Sequence, residues 1–421
     1  MASSTPPSPY RKWLCTDAPQ YVHLKTATAV SHTEHLFSNV PLVTKINKWW
    51  DELWKASFKG ITSNGNVIPN LYPKTDHGIP IVEIVQAANG VIAAATEEER
   101  KRLLLAVDAP ERRAWSNPEI YVHRFGVRLD ESSENVQQAV LHVLKTTLSE
   151  RGYKKAVNAT LINHFLGTLH NAPAVLNRWS YNFMIFGQPS QTDDWSFSLY
   201  GHHLCLNIAI LRGSQIVLTP TFTGAEPNVI DSGPWTGTRI LVEEERLGLA
   251  FMQQLGPERQ KAAQLFTDID GPNFATEFAA IFPTCPSGCR WNPADQRQIC
   301  GAFQDNRIVP YEGACLAGIN KPLQDLLLKL VEEFVLYLPD EARRERLQQV
   351  ASHMSETYFC WIGGFGDEDA FYYRIQSPVI ICEFDHHSGV FLTNDKPQKF
   401  HIHTVVRSPN GGDYGHALRS S

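Results

Sequence analysis

The sequence predicts an α+β fold in which a largely antiparallel β-sheet core is flanked by helices. Segments with the apolar spacing of helices and segments rich in aromatic and β-branched residues follow one another in blocks, in the order helices, strands, helices, strands. Turn signals such as Arg212-Gly213 separate the strand-like segments. With 43% hydrophobic and 19% charged residues, the 421-residue chain can bury a large core.

The first half of the chain is predicted to be mainly helical. Val43, Ile46 and Trp50 have helical spacing in 41–57, where Pro41 is tolerated in a first turn. A second helix is capped by Ser132 or Ser133, and we expect it to end at Gly152. Further helical segments are predicted at 153–170, 238–266 and 321–355.

Strands are predicted between and after these helical blocks. They cover 178–186, 195–211, 214–220, 357–362, 371–376, 378–386 and 400–407. We therefore divide the chain into a flexible lead (1–20), a mainly helical region (21–177) and a mixed region (178–421) that carries the histidine motifs. The last two regions are expected to pack as one unit.

Charge and hydropathy exclude two classes of partner. A net charge of −6 and a pI near 6.2 provide no basic face, so nucleic acid is not an expected partner. The most apolar segment, 323–338, is interrupted by acidic and basic residues, and the N-terminus has no apolar stretch typical of a signal peptide. We therefore expect no membrane association and a cytoplasmic location; the oligomeric state stays open.

The eight cysteines do not form a recognisable zinc motif. Cys285, Cys289, Cys300 and Cys315 cluster in a loop-like region, but their spacing is wider and less regular than that of two Cys-x-x-Cys pairs. We expect loop thiols there, with one disulfide as the alternative. Cys205 is a further candidate, as a thiolate nucleophile beside His203.

Two adjacent histidines lie within the predicted strand 195–211. Side chains alternate between the faces of a strand, so His202 would share its face with Leu204 and Leu206, and His203 with the more polar Cys205 and Asn207. His203 is thus favoured as a metal ligand, although a bulge at Gly201 would undo this assignment and leave His202 as the ligand.

Two late strands carry the other candidate ligands. His401, His403 and Arg407 fall on one face of 400–407, and Glu383 and Asp385 fall on one face of the preceding strand. Antiparallel pairing would bring these polar faces together. The pattern predicts one divalent ion, zinc or iron(II), held by His401, His403, one of His202 and His203, and Glu383 as ligand or anchor.

The remaining polar residues receive roles around that ion. Asp385 would fix a ligating imidazole or accept a proton, and Arg407 would hold a carboxylate of the substrate unless it pairs with Asp413. Asp413 and Tyr414 lie in a glycine-rich turn that can reach the end of a strand. Glu226, in the loop-like stretch 220–227, is a weaker candidate.

These motifs together resemble a family of domains of unknown function, numbered 3500. The resemblance is carried by Trp195, GHHL at 201–204 with Asn207, TP at 219–220, GAEP at 224–227, EFDH at 383–386, HIHT at 401–404 and DYG at 413–415. It extends from about Arg178 to the C-terminus and is weaker before that residue. The resemblance implies no activity.

The motifs favour a metal-dependent enzyme that acts on a small organic substrate, and a substrate that Arg407 binds would carry a carboxylate. Nucleophile-elbow, phosphate-loop and dinucleotide fingerprints are missing from the sequence, so a hydrolase or lyase that uses the ion is the first hypothesis. An iron- or copper-dependent oxidoreductase at the same site is the second hypothesis. A non-catalytic protein that binds a small molecule is the third.

Overall fold

A single mixed sheet forms the centre of the molecule. The computed structural model describes residues 8–269 and 297–419, and within them thirteen strands join one sheet. The strands are β1 (Leu104–Leu105), β2 (Val127–Arg128), β3 (Tyr181–Phe186), β4 (Trp195–Gly201), β5 (Leu204–Leu211), β6 (Gln215–Val217), β7 (Thr221–Ala225), β8 (Gln264–Phe266), β9 (Ala314–Cys315), β10 (Tyr358–Gly363), β11 (Phe371–Gln376), β12 (Ile381–His387) and β13 (Gln398–Arg407).

The order of the strands is β1-β3-β4-β5-β7-β13-β12-β11-β10-β8, with β2, β6 and β9 attached at β3, β5 and β10. Only the outer pairs β1–β3 and β10–β8 are parallel among the described strands. The predicted α+β class with a largely antiparallel sheet is therefore confirmed. The centre of the sheet is β5-β7-β13-β12, and this is where the histidine motifs lie.

Helices surround the sheet and follow the predicted pattern with shifted ends. Apart from one-turn segments, they span Ala29–Asn39, Pro41–Lys55, Ile81–Ala94, Glu97–Leu103, Glu134–Thr147, Glu150–Leu169, Val242–Gln254, Pro257–Ala263, Lys321–Phe334 and Asp340–Ser352. The hydroxyl of Ser133 accepts from the amide of Val136 and caps its helix, as predicted. The predicted end at Gly152 is wrong, because Ser149 already caps the next helix.

Two of the predicted helical blocks are broken in the structure. Residues 238–266 contain two helices and then strand β8. Residues 321–355 contain two helices, and the second begins directly after Pro339. Proline cannot continue a preceding helix, because it lacks the amide hydrogen and restricts the residue before it. The helix Ile81–Ala94 was not predicted, although four of its apolar side chains are buried at helical spacing: Ile84, Val85, Ala88 and Val91.

The two faces of the sheet have different coverings. On one face, side chains such as Leu206, Phe384 and Ile402 pack into a large core with the helices that follow residue 80. On the other face, Phe222 and Val405 pack into a smaller core with helix Pro41–Lys55 and the segments around Trp115 and Phe303. The alternation predicted for β12 and β13 holds, and it sends His401 and His403 to the face with the smaller core.

Two local predictions near the histidines are wrong. Residues 195–211 are not one strand: β4 and β5 pair as a hairpin, and His202 and His203 form the turn between them. The stretch 220–227 is not a loop, since Thr221–Ala225 is β7, which pairs with both β5 and β13. The turn and β7 together bring His203 next to the histidines of β13.

None of the helices in residues 8–269 and 297–419 is both long enough and apolar enough to cross a membrane. In the predicted flexible lead, the short helical turn Pro9–Trp13 buries Tyr10 completely, and the Tyr10 hydroxyl donates to Asp231. Among the predicted loop cysteines, Cys285 and Cys289 lie outside the described residues. Cys300 is buried and Cys315 is exposed.

Candidate metal centre

Three buried imidazoles converge at the centre of the sheet. Nε2 of His403 lies 3.2 Å from Nε2 of His203 and 3.0 Å from Nε2 of His401. One ring nitrogen from each residue lies within 4.8 Å of one from each of the other two, and within the described ranges no other group of three potential ligands is as compact. The structure thus brings together three of the five predicted ligands.

The backbone carbonyl of Ser388 orients the outer side of this cluster. Nδ1 of His401 lies 2.7 Å from that oxygen, and Nδ1 of His387 lies 2.9 Å from it. A carbonyl oxygen only accepts, so both Nδ1 atoms carry the proton and both Nε2 atoms carry a lone pair. Metal-binding histidines commonly have this second hydrogen bond.

Glu226 holds the loop that provides this carbonyl. Its carboxylate accepts hydrogen bonds from the amides of Val390, Phe391 and Leu392, at distances of 2.9 to 3.1 Å. One of its oxygens also lies 3.7 Å from Nδ1 of His401. Glu226, which the sequence indicated only weakly, therefore positions the segment behind the cluster.

His203 reaches the cluster from the turn between β4 and β5. Its φ of +63° places it in the left-handed region, and its amide lies 3.3 Å from Oδ1 of Asn117. His202 stacks on it with 3.8 Å between ring centroids, while Nδ1 of His202 contacts Oδ1 of Asn163 at 2.8 Å. His203 is thus the member of the pair in the cluster, but turn geometry and not strand alternation selects it.

Gly224 on β7 allows the rings to approach one another. A Cβ at this position would lie 2.7 Å from Cδ2 of His203 and 3.0 Å from Cδ2 of His403. Any side chain here would displace two imidazoles of the cluster. Glycine is therefore required by packing and not by an unusual backbone angle.

His387 is a fourth imidazole that the sequence reasoning did not select. Its ring centroid lies 4.7 Å from that of His401 and 4.4 Å from that of His403, and its Nε2 has no hydrogen-bond partner among the described residues. His387 follows Glu383 and Asp385 at alternate positions of the strand, so the sequence pattern puts it on their face. That position was the signal that could have identified it.

The environment keeps these imidazoles neutral. Burial, and then the neighbouring imidazoles, hold the pKa values of His203 and His403 well below the usual value for histidine. Burial likewise lowers the pKa of His387 far below that value and also lowers the pKa of His401. Neutral imidazole is the form that binds a metal.

The donor set fits a transition-metal ion. Two nitrogens bound 2.0–2.1 Å from a tetrahedral zinc ion would lie about 3.3 Å apart, close to both short contacts of His403. A single Nε2 proton on His403 can form a linear hydrogen bond to only one of its two neighbours, whereas one cation would interact with all three lone pairs. Nδ1 of His203 has no partner among the described residues. Nitrogen ligands favour zinc, iron or copper over magnesium or calcium.

Glu383 is engaged elsewhere on the same face of β12. Its carboxylate accepts from the amides of Ile299 and Cys300 at 2.9 and 2.8 Å and from the Tyr372 hydroxyl at 2.7 Å. In the β12–β13 register Glu383 lies opposite Val405, two residue pairs away from the Asp385–His403 pair. The structure does not bring Glu383 into the histidine cluster. Glu383 instead anchors the segment that begins at residue 297.

Asp385 lies directly opposite His403 in the β12–β13 register and is fully buried. Its Oδ1 accepts from Nε of Arg297 at 2.9 Å, while its Oδ2 has no partner among the described residues. Burial raises the pKa of Asp385 to about 7 against the opposing effect of Arg297. The proton-transfer role of Asp385 stays a prediction.

Arg407 is committed to a buried network. It donates to Oδ1 of Asp305 at 2.9 Å, to Oδ2 of Asp413 at 3.1 Å and to the carbonyls of Cys300 and Gly301. The predicted alternative, pairing with Asp413, is the one observed, and these contacts leave the guanidinium unsuited to hold a substrate carboxylate.

Tyr414 and Cys205 also have structural partners. The hydroxyl of Tyr414 accepts from Nε1 of Trp115 at 3.0 Å and donates to Asp305 at 3.2 Å. The thiol of Cys205 contacts the carbonyl of Ser116 at 3.4 Å. The structure therefore places Tyr414 in the Arg407 network and not against the histidines.

A cavity of about 320 Å³ opens beside the histidine cluster. His203, His387 and His403 line one side of it. Helix Pro41–Lys55 contributes Val43, Ile46 and Trp50 to the lining, and the segment 117–122 contributes a further part of it. Sequence patterns could not reveal this cavity, because its walls come from segments far apart in the chain.

Comparison with known proteins gives a family and no activity. The family model described as "Protein of unknown function (DUF3500)" matches residues 77–416. The chain belongs to the DUF3500 family. No curated protein and no solved structure matches the chain.

The DUF3500 match begins well before Arg178, where the resemblance in the sequence was expected to start. It includes all three histidines of the cluster, as well as Gly224 and His387. Helix Pro41–Lys55, which covers the cavity, precedes the matched region. The histidine cluster thus belongs to the DUF3500 region, whereas part of the cavity wall does not.

Proposed function

We propose that the protein is a metal-dependent enzyme in which His203, His401 and His403 bind one divalent ion, zinc or iron(II), beside a small-molecule cavity. The observation that carries this proposal is the convergence of three buried Nε2 atoms with short contacts of 3.0 and 3.2 Å. One Nε2 proton on His403 can serve only one of these two short contacts, and two imidazole lone pairs that face each other repel unless something shares them. A metal ion is the simplest group that does so.

A hydrolase or lyase acting on a small organic substrate is our first choice. When bound, the ion would supply Lewis acidity, which polarises a carbonyl group or lowers the pKa of water. The cavity supports this choice, because it adjoins His203 and His403 and can hold a substrate against them. The side chains of the cavity would then orient the substrate and exclude bulk water.

Glu119 is the candidate group for moving a proton in this cavity. It is the one carboxylate among the described residues that line the cavity, and its Oε1 lies 3.0 Å from Nε2 of His32. Nδ1 of His32 lies 2.9 Å from Nε2 of the half-buried His23. Burial acts to raise the pKa of Glu119, but the hydrogen bond and charge of His32 outweigh it and lower that pKa. This series of hydrogen bonds from Glu119 through His32 to His23 provides a path for protons towards solvent.

The same ligands support the second candidate, an iron- or copper-dependent oxidoreductase. Imidazole is an accepted ligand of zinc, iron and copper alike, and no carboxylate joins the compact histidine group among the described residues. Oxygen uptake in the presence of candidate substrates, together with a paramagnetic signal from the metal-loaded protein, would favour this candidate. Turnover with a redox-inactive zinc ion would favour the hydrolase or lyase.

The test of the metal site is elemental analysis of protein purified without a histidine tag. We expect about one equivalent of metal per chain, and the loss of nearly all of it in the double variant His401→Ala/His403→Ala. His142→Ala is the matched control, because His142 is an exposed histidine on helix Glu134–Thr147. Unchanged metal content in the double variant would exclude the proposed site.

A further inference from the structure

We propose that the cavity beside the histidine cluster binds an uncharged, predominantly apolar molecule with one hydrogen-bond acceptor. That this molecule is a substrate rests on the proposed function. This replaces the acidic substrate that the sequence suggested through Arg407. Three features of the cavity support this inference: its size, the charge of its walls and the polar atoms that have no partner among the described residues.

The size of the cavity suits one ring with a substituent. An apolar cavity of about 150 Å³ already holds benzene. The present cavity measures about 320 Å³, so it accommodates a ring and a side group of several atoms. Leu42 and Val390 line it and are 42% and 46% exposed, which marks the rim through which a ligand can enter.

The walls disfavour an anion. Apolar side chains provide most of the lining, including those of Val43, Ile46 and Ile120, and no lysine or arginine is present among the lining residues of the described chain. The carboxylate of Glu119 is on the same surface. A carboxylate ligand would thus lose its hydration without gaining a cationic side chain, and it would face a like charge.

Unsatisfied polar atoms indicate where the ligand is polar. Trp50 is 3% exposed, lines the cavity and has an Nε1 without a hydrogen-bond partner among the described residues. Asn47 also lines the cavity, and its Oδ1 is buried without a partner in the described chain. The indole nitrogen only donates, so a buried carbonyl or ether oxygen is the complement it requires.

The test uses three probes of nearly equal shape: benzamide, benzoate and benzamidine, which are neutral, anionic and cationic. Calorimetric titration of the full-length protein is done in zinc-loaded and in chelator-treated form, so that attraction of benzoate to the ion is separated from the effect of the walls. In the chelator-treated protein we expect benzamide to bind at least about ten-fold more tightly than benzoate or benzamidine. Equal or tighter binding of either ion, or no binding of benzamide, would overturn the inference.

Two variants locate the binding. Ile46→Trp fills the cavity, and we expect it to weaken benzamide binding by at least about ten-fold. Leu53→Trp is the matched control, since Leu53 is also half-buried on helix Pro41–Lys55 but does not line the cavity. Trp50→Phe keeps most of the apolar area and removes the donor, so benzamide should bind about two- to ten-fold more weakly while toluene is unaffected.

The variants also separate this inference from the proposed function. If Ile46→Trp unfolds, Trp50→Phe still tests the pocket, and equal benzamide affinity of Trp50→Phe and wild type would contradict the predicted donor. Zinc binding without a preference for benzamide would remove the inference and leave the metal site. Benzamide binding without any metal uptake would retain the cavity as a binding pocket and remove the proposed enzyme.

Discussion

Replacing Gly224 by alanine should damage the metal site while leaving the sheet folded. The new Cβ would lie 2.7 Å from Cδ2 of His203, whereas ordinary contacts begin at 3.4 Å, so this ring must move by roughly 0.7 Å. The ring of His403, at 3.0 Å, must move as well. Binding constellations tolerate displacements of only about 0.5 Å. We therefore expect zinc affinity to fall about 10- to 100-fold, which is about 1.4 to 2.7 kcal/mol.

Competition with a chromophoric chelator measures this affinity, and urea unfolding of the metal-free protein measures the packing cost, which should be about 1–3 kcal/mol. Gly90→Ala is the matched control. Gly90 lies in helix Ile81–Ala94 with nothing within 4 Å of a Cβ, so alanine there should stabilise the protein by about 0.5–1 kcal/mol and leave zinc affinity unchanged. Zinc affinity of Gly224→Ala within about three-fold of wild type would refute the packing described around the two rings.

Three further variants follow from the contacts. His387→Ala should lower zinc affinity about ten-fold, measured by the same competition, because it removes the imidazole next to the cluster; an unchanged affinity would separate His387 from the metal site. Arg407→Met leaves Asp413 buried without its cation and should destabilise the protein by about 3–5 kcal/mol in urea unfolding, and a loss below about 1 kcal/mol would contradict the network. Burial acts to raise the pKa of Asp231, but the hydrogen bonds from Arg11 and Tyr10 outweigh it and hold that pKa at about 2. A carboxyl group with a lowered folded-state pKa stabilises the fold above about pH 4, and this contribution is lost as the pH falls towards about 2. Between these pH values the free energy of unfolding of the wild type should therefore fall more steeply than that of Asp231→Asn. Equal slopes would contradict the pairing.

The sequence predicted those parts of the fold that depend on local pattern. The alternation along β12 and β13 correctly placed His401, His403 and Val405 on one face, because side-chain direction in a strand follows from position alone. The cap at Ser133 was predicted for a similarly local reason. Both features require only neighbours in the chain.

The wrong predictions depend on contacts between distant segments. Nothing in the pattern of 195–211 reveals that the chain reverses at His202 and His203, since both halves are apolar strands. The stretch 220–227 resembles a loop because of its prolines and glycine, yet pairing on both sides makes its middle a central strand. His203 consequently reaches His403 through a turn that sequence periodicity could not predict.

The assignment of Glu383 and Arg407 had the same limitation. Each charged residue was correctly expected to need a partner when buried, but the partner could not be read from the strand itself. The structure supplies backbone amides near residue 300 for Glu383 and the carboxylates of Asp305 and Asp413 for Arg407. These partners lie outside the two strands on which the prediction was based.

X-ray absorption at the zinc edge of the zinc-loaded protein tests the central claim most directly. We expect three or four histidine nitrogens at about 2.0–2.1 Å, with the multiple-scattering pattern of imidazole, and the loss of that pattern in His401→Ala/His403→Ala. A shell of sulfur atoms at about 2.3 Å would instead place the zinc at the cysteines and would contradict the histidine site. A spectrum that is identical in the double variant would contradict it equally.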